Sequence, residues 1–274
     1  MDALTRNILV PWDFAPSSAF ALEHAIKIAK IRNYNISLLH IVKHTKEEAK
    51  FQEQLQQIAT ETQSKTGIPT TVLIQHGDVL TTISELASLP DTELVIMKTD
   101  GIAGMQKYSG SRAIKIMRGS KSPFMVVQRS PSESMFHKIV YPIDYRSENK
   151  EVVNIILNLS KVYNGKIYIF KAKSRDRAFR KTIANNLNFA RMMFESKHIE
   201  FEIFEASGTK DYSIEVNEYA QSILADVIII QLQRNLTFTK FLMGVKEQAI
   251  IANPYKIPVM VTNPKEIRVY AGFK

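Results

Sequence analysis

Residues 7–13 read Asn7-Ile8-Leu9-Val10-Pro11-Trp12-Asp13, and residues 138–144 read Lys138-Ile139-Val140-Tyr141-Pro142-Ile143-Asp144. Each is an apolar run that passes a proline and reaches an aspartate, and the two aspartates lie 131 positions apart (144 minus 13). The register persists downstream. Leu22, Ala25, Ile26 and Ala29 in the first half, and Val152, Ile155, Ile156 and Leu159 in the second, have the i, i+3, i+4, i+7 spacing of a helix with one buried face. Pro16 stands where a first helical turn tolerates proline. Strands are expected at 36–42 and 167–172. His76-Gly77-Asp78 and Ser207-Gly208-Thr209 each close a β-rich stretch ahead of an amphipathic helix. Leu94-Val95-Ile96-Met97 and Val227-Ile228-Ile229-Ile230 are continuous apolar runs, the pattern of strands covered on both faces. Pro123 and Pro258 open the last strand of each half, where a missing N–H removes no ladder bond.

Each half therefore reads β-α-β-α-β-α-β-α-β, and the fold class is α/β: two tandem doubly wound parallel five-stranded sheets, with helices on both faces and right-handed crossovers. The expected domains are residues 1–130 and 136–265, followed by a tail at 266–274. The polar, aperiodic stretch Gln128–Ser134 serves as linker, with the boundary near Ser132. With 274 residues, 45% of them apolar and 23% charged, the chain suffices for two ordinary cores. No apolar run approaches the roughly 18–20 residues of a membrane helix, and the opening MDALTRNILVPWD lacks the features of a secretory leader. The absence of cysteine excludes disulfides, thiolate metal sites and cysteine nucleophiles, and a cytoplasmic location is expected.

The net charge of +9 is unevenly shared: Lys and Arg exceed Asp and Glu by 15 − 13 = +2 over residues 1–135 and by 21 − 14 = +7 over 136–274. Lys173, Arg175, Arg177, Arg180 and Lys181 form the densest basic stretch, and their helical spacing reads as a solvated face rather than a nucleic-acid site.

In doubly wound sheets, ligands bind beyond the carboxyl ends of the strands at the switch in strand order, with phosphates resting on helix N-termini. After the fourth strand of the first half comes Lys98-Thr99-Asp100-Gly101-Ile102-Ala103-Gly104-Met105-Gln106-Lys107-Tyr108-Ser109-Gly110-Ser111, and Gly110-Ser111 opens the next helix. Glycines let backbone N–H groups approach an anion, and a serine hydroxyl adds a donor.

Val10-Pro11-Trp12-Asp13, Leu39-His40-Ile41, this late glycine loop and the proline-initiated last strand together resemble the universal stress protein family, over almost the whole chain and twice. The resemblance implies a stress-response module that binds ATP or another adenosine nucleotide, with or without Mg2+. It places Pro11 and Asp13 by the adenine or ribose, the backbone of Ile41 beside the base, and Gly101, Gly110 and Ser111 at the phosphates. It also implies pairing of the last strands, 124–128 with 259–263, as an intramolecular pseudo-dimer or in a homodimer. The first half departs from the family loop twice. Lys98 replaces a glycine, and eight residues rather than nine separate Gly101 from Gly110. Lys98 either supplies a cation to the phosphates or blocks them. In the second half Gln231, Arg234 and Gly244-Val245 stand where the loop glycines and Gly-Ser pair belong, so that copy reads as degenerate despite Asp144.

The six histidines show no metal-ligand spacing, and no nucleophile elbow or P-loop occurs, so no catalytic residue is assigned. His40 reads as a hydrogen-bonded strand-end histidine, His76 as a turn residue, and Trp12, the only tryptophan, as a packing residue at the base-binding edge. Three functions stay open: a nucleotide-binding module using the first half, an interaction scaffold whose sites are vestigial, and a slow ATP hydrolase.

Overall fold

A computed structural model describes residues 6–42, 47–99, 119–146, 152–232 and 247–263, together with Ile114, Met117 and Lys150. The chain divides into two units, Met1–Pro131 and Ser132–Lys274. In the first, the described elements are β1 (Asn7–Pro11), α1 (Ser18–Arg32), β2 (Asn35–Val42), α2 (Glu48–Thr66), β3 (Thr70–His76), α3 (Val79–Leu86), β4 (Thr92–Lys98) and β5 (Phe124–Val127). Their sheet has the order β3-β2-β1-β4-β5, and every pairing is parallel. The order reverses between β1 and β4, which places the switch point beside Pro11 and the carboxyl end of β4.

Strand β4 shows why this register holds. Leu94, Val95, Ile96 and Met97 are all buried, as a strand covered on both faces requires. Each such side chain contributes roughly 1.5–3 kcal/mol, so a charge at Val95 or Ile96 would break the sheet at its centre. Helix α1 buries Ala21, Leu22, Ala25, Ile28 and Ala29. It ends at Asn33, whose left-handed backbone (φ 53°) lets its N–H reach the carbonyl of Ala29.

The second unit repeats the plan with β6 (Lys138–Ile143), α4 (Val153–Tyr163), β7 (Lys166–Lys171), α5 (Arg177–Ser196), β8 (Phe201–Glu205), α6 (Tyr212–Ser222), β9 (Val227–Gln231) and β10 (Val259–Thr262). The strand order is β8-β7-β6-β9-β10, again all parallel. Helix α4 closes on Asn164 (φ 51°), which stands 131 positions after Asn33 and bonds back to Ser160 in the same manner.

Besides Ile26 of α1, which is only half-buried while Ile28 takes its place on the buried face, two details differ from the spacing argument. The buried face of α4 is Val152, Val153, Ile156, Ser160 and Tyr163, with Ile155 and Leu159 only half-buried. The face has rotated by part of a turn because Tyr163 and Ser160 carry the packing toward Phe136 and Gly165. Second, Gly77 and Gly208 keep the repeat and both have positive φ, yet α6 starts two residues later than α3 in the common register. The extra residues form a loop around the Glu215 carboxylate, which accepts bonds from Ser207 Oγ (2.7 Å) and the N–H groups of Gly208 (3.2 Å), Thr209 (2.9 Å) and Lys210 (3.0 Å). Burial alone would raise this carboxyl; the four donors bring it down to about 2.

Candidate functional site

At the carboxyl ends of β1, β2 and β4, Pro11, Trp12, Asp13, Leu39, His40, Ile41, Val79, Ile83, Met97 and Lys98 line a cleft of about 100 Å³. Four of the residues expected at the site, Pro11, Asp13, Ile41 and Lys98, meet there. Gly101, Gly110 and Ser111 lie outside the described residues. Ligand pockets commonly reach roughly 300–1,000 Å³, so the cleft formed by the described residues is small.

The backbone sets this floor. Pro11 pairs with Leu39, after which the Trp12 N–H donates to the Leu39 carbonyl at 2.7 Å and β1 leaves the sheet. Strand β2 runs on to Val42 beside β3, so Ile41 lies two residues beyond the last register partner of β1. The Trp12 carbonyl faces His40 Nδ1 at 2.7 Å, which fixes that ring as a strand-end donor, in line with its expected role. Phe14 follows in a left-handed conformation (φ 60°), and its ring, His40 and Phe51 form a three-way cluster with centroids 4.4–5.2 Å apart. These contacts hold a backbone conformation that a bulky residue rarely adopts. Trp12 is half-buried, and its indole Nε1, a pure donor, is buried with no hydrogen-bond partner among the described residues.

Asp13 and Lys98 form the charged edge. Asp13 Oδ1 accepts from Ser18 Oγ at 2.5 Å and from the Ala15 N–H at 3.1 Å, while Oδ2 lies 3.0 Å from Lys98 Nζ. Burial pushes the Asp13 carboxyl up, but the bonds from Ser18, Lys98 and Ala15 together hold it below its ordinary value. The Lys98 side chain is only 8% exposed, against 42% for Asp13, so the ammonium is the desolvated partner. Lys98 thus reaches across the strand ends to the aspartate two residues beyond β1. Sequence reasoning placed both residues at the site without pairing them, because nothing in a linear spacing of 85 positions (98 minus 13) reveals such an ion pair.

His76 Nε2 lies 3.1 Å from Glu48 Oε2, tying the end of β3 to the start of α2. Among the described residues, no group of three or more His, Cys, Asp or Glu is placed to hold a metal, and no helix is long and apolar enough to cross a membrane.

The corresponding place in the second unit is filled. Asp144 is buried, accepting from Arg146 N–H and Nε, and the guanidinium also meets Glu247 at 2.9 Å. The two carboxylates keep that guanidinium charged in spite of its burial. Asn186 donates to the carbonyls of Asp144 (2.9 Å) and Arg146 (2.7 Å). At the start of α6, where the first unit has Val79 against the cleft, Tyr212 donates its hydroxyl to the carbonyls of Ile143 (3.1 Å) and Phe170 (2.5 Å). The sequence signal was available for Arg146, which stands 131 positions after Ala15, but not for Tyr212, which stands 131 positions after Thr81 and reaches the helix start only through the two-residue shift of α6.

Residues 5–128 match the model of the Universal stress protein family. That match runs over nearly all of the first unit. A universal stress protein from Archaeoglobus fulgidus DSM 4304 has the same fold over 94% of this chain and 96% of its own, with a TM-score of 0.76 at 17% identity. A functionally unknown protein from Pseudomonas aeruginosa PAO1 matches over 95% and 93%, with a TM-score of 0.66 at 16% identity. A universal stress protein in complex with cAMP covers 48% of this chain and 99% of its own, at 17% identity and a TM-score of 0.38. No curated protein matches the chain. The universal stress protein fold thus extends over both units, while the family match lies on the first.

Proposed function

We propose that the universal stress protein unit at residues 1–131 binds one adenosine nucleotide, ATP or a relative, and that the second unit does not. The observation that carries this reading is the open cleft at the β1/β4 switch point, with an apolar floor of Leu39, Val79, Ile83 and Met97 beside the Asp13–Lys98 pair. An adenine suits that floor. Asp13, half-exposed, keeps acceptor capacity for a ribose hydroxyl beyond the bonds it already takes. Lys98 would set the charge at the phosphate side, with Gly101, Gly110 and Ser111 as the expected phosphate loop; Mg2+, when present, would come with the phosphates. Filling by Arg146 and Tyr212 supports the assignment of the second unit as degenerate.

Two further parts belong to the same proposal. The protein acts in the cytoplasm, which its cysteine-free composition suits. Its last strands, Phe124–Val127 and Val259–Thr262, pair within the chain or between two copies, which would cover edges that otherwise invite aggregation. Separately produced halves that never associate at high concentration would remove that part.

A scaffold without ligand is the second reading, favoured by one observation: Lys98 already neutralises Asp13. Mass spectrometry of small molecules released from gently purified chain separates the two. Stoichiometric adenosine nucleotide supports binding; its absence, with no binding of added ATP, supports the scaffold.

A further inference from the structure

The basic stretch at the start of α5 differs from an ordinary solvated helix face in three respects. Lys173, Arg175, Arg177, Arg180 and Lys181 are all exposed, and none has an ion pair among the described residues. Elsewhere in the same unit Lys166, Lys171, Arg191 and Lys210 all face glutamates. The only acid between Lys171 and Glu195 is Asp176, and its carboxylate is engaged by the Phe179 N–H at 2.9 Å. Five like charges against one committed carboxylate repel one another, an arrangement that a polyanion relieves.

The third respect is an exposed aromatic ring in the same stretch of chain, next to Arg180. Phe179 is 43% exposed, and its ring stacks on Tyr145 at 4.2 Å with planes 14° apart. One face of the ring is backed by protein, so a further flat ring can add to a rigid stack. Guanidinium groups beside an exposed, supported aromatic ring are the components of a single-strand platform, in which cations follow phosphates and the ring takes a base. A membrane-binding face would instead need a broad apolar stripe under the charges, and here only Phe179 supplies one.

We propose that this face of the second unit binds single-stranded nucleic acid, independently of nucleotide binding in the first. Fluorescence anisotropy with a labelled twenty-nucleotide oligouridylate tests it on the full chain. If about four phosphates are neutralised, affinity should fall about 50-fold between 50 and 200 mM salt. Arg175→Glu/Arg177→Glu/Arg180→Glu should bind at least tenfold more weakly at 50 mM and show only about a threefold salt effect. Phe179→Ala should weaken the oligouridylate by about fivefold or more while leaving a duplex of equal length unaffected. Circular dichroism checks that both variants fold, and the wild-type salt slope needs no variant. Absence of binding at 50 mM salt, equal binding by the triple variant, or capture of phosphatidylserine vesicles without capture of the oligonucleotide would each overturn the proposal.

Discussion

Removing either member of the Asp13–Lys98 pair should have unequal consequences. Unit charges 3.0 Å apart attract by about 5 kcal/mol at an effective dielectric near 20, and most of this is cancelled by desolvation of the ammonium. Asp13→Asn leaves a buried cation without this carboxylate, at a cost of about 3 kcal/mol. Lys98→Met keeps the length of the side chain and leaves a half-exposed carboxylate still held by Ser18 and Ala15, so the loss should be nearer 1 kcal/mol. The double variant should recover about 1–2 kcal/mol relative to the sum of the single losses. Urea unfolding at pH 7.5 followed by tryptophan fluorescence reports this unit alone, because Trp12 is the only tryptophan. Asp13 titrates below its ordinary value in the folded chain, so its contribution is present at neutral pH and disappears as pH falls below about 4. Equal losses from the two single variants, or strictly additive losses, would refute the buried-ammonium argument.

His24 is buried with Nε2 against the Arg129 carbonyl at 3.2 Å, and burial brings it down to about 4, so folding favours the neutral ring. Stability of the first unit should therefore fall as pH drops from 6.5 to 4, by about 3 kcal/mol in full, and His24→Gln should flatten urea midpoints across that window. Glu215→Gln places an amide N–H2 among four donors and should destabilise the second unit by about 2 kcal/mol; in the wild type this contribution is lost as pH falls from 4.5 toward 2, measurable by acid unfolding with circular dichroism. A Cβ at Gly165 would lie 2.1 Å from the Phe136 carbonyl oxygen, so Gly165→Ala should lower the second unit's stability by about 3 kcal/mol in thermal unfolding. Val79→Tyr copies the plug of the second unit into the first and should reduce ATP affinity at least tenfold in calorimetry.

The fold was legible because strand ends, apolar runs and prolines repeat at a nearly constant interval, and burial on both faces of a parallel sheet leaves continuous apolar segments such as Val227–Ile230. The positions of Pro11, Asp13, Ile41 and Lys98 were legible through the family resemblance, and the ends of β1, β2 and β4 bring them to one cleft. Their interactions were not. The bond from Lys98 to Asp13, the cluster of Phe14, His40 and Phe51, and the Tyr212 hydroxyl on two strand-end carbonyls depend on side-chain direction in three dimensions. Periodicity misplaced the buried face of α4 because small and polar residues, Ser160 above all, share its packing. The second unit was read as degenerate from its loop glycines alone, and the contacts of Arg146 and Tyr212 at its strand ends were not foreseen.

The proposed function requires one adenosine nucleotide site per chain, in the cleft beside Trp12. Equilibrium dialysis with labelled ATP, run alongside Trp12 fluorescence on the same samples, tests it directly. The expected result is a stoichiometry of one, with a fluorescence change that saturates over the same concentrations and with both signals lost in Gly110→Val. Two equivalent sites, no binding at millimolar ATP, or a single site that leaves Trp12 fluorescence unchanged and survives in Gly110→Val would contradict it.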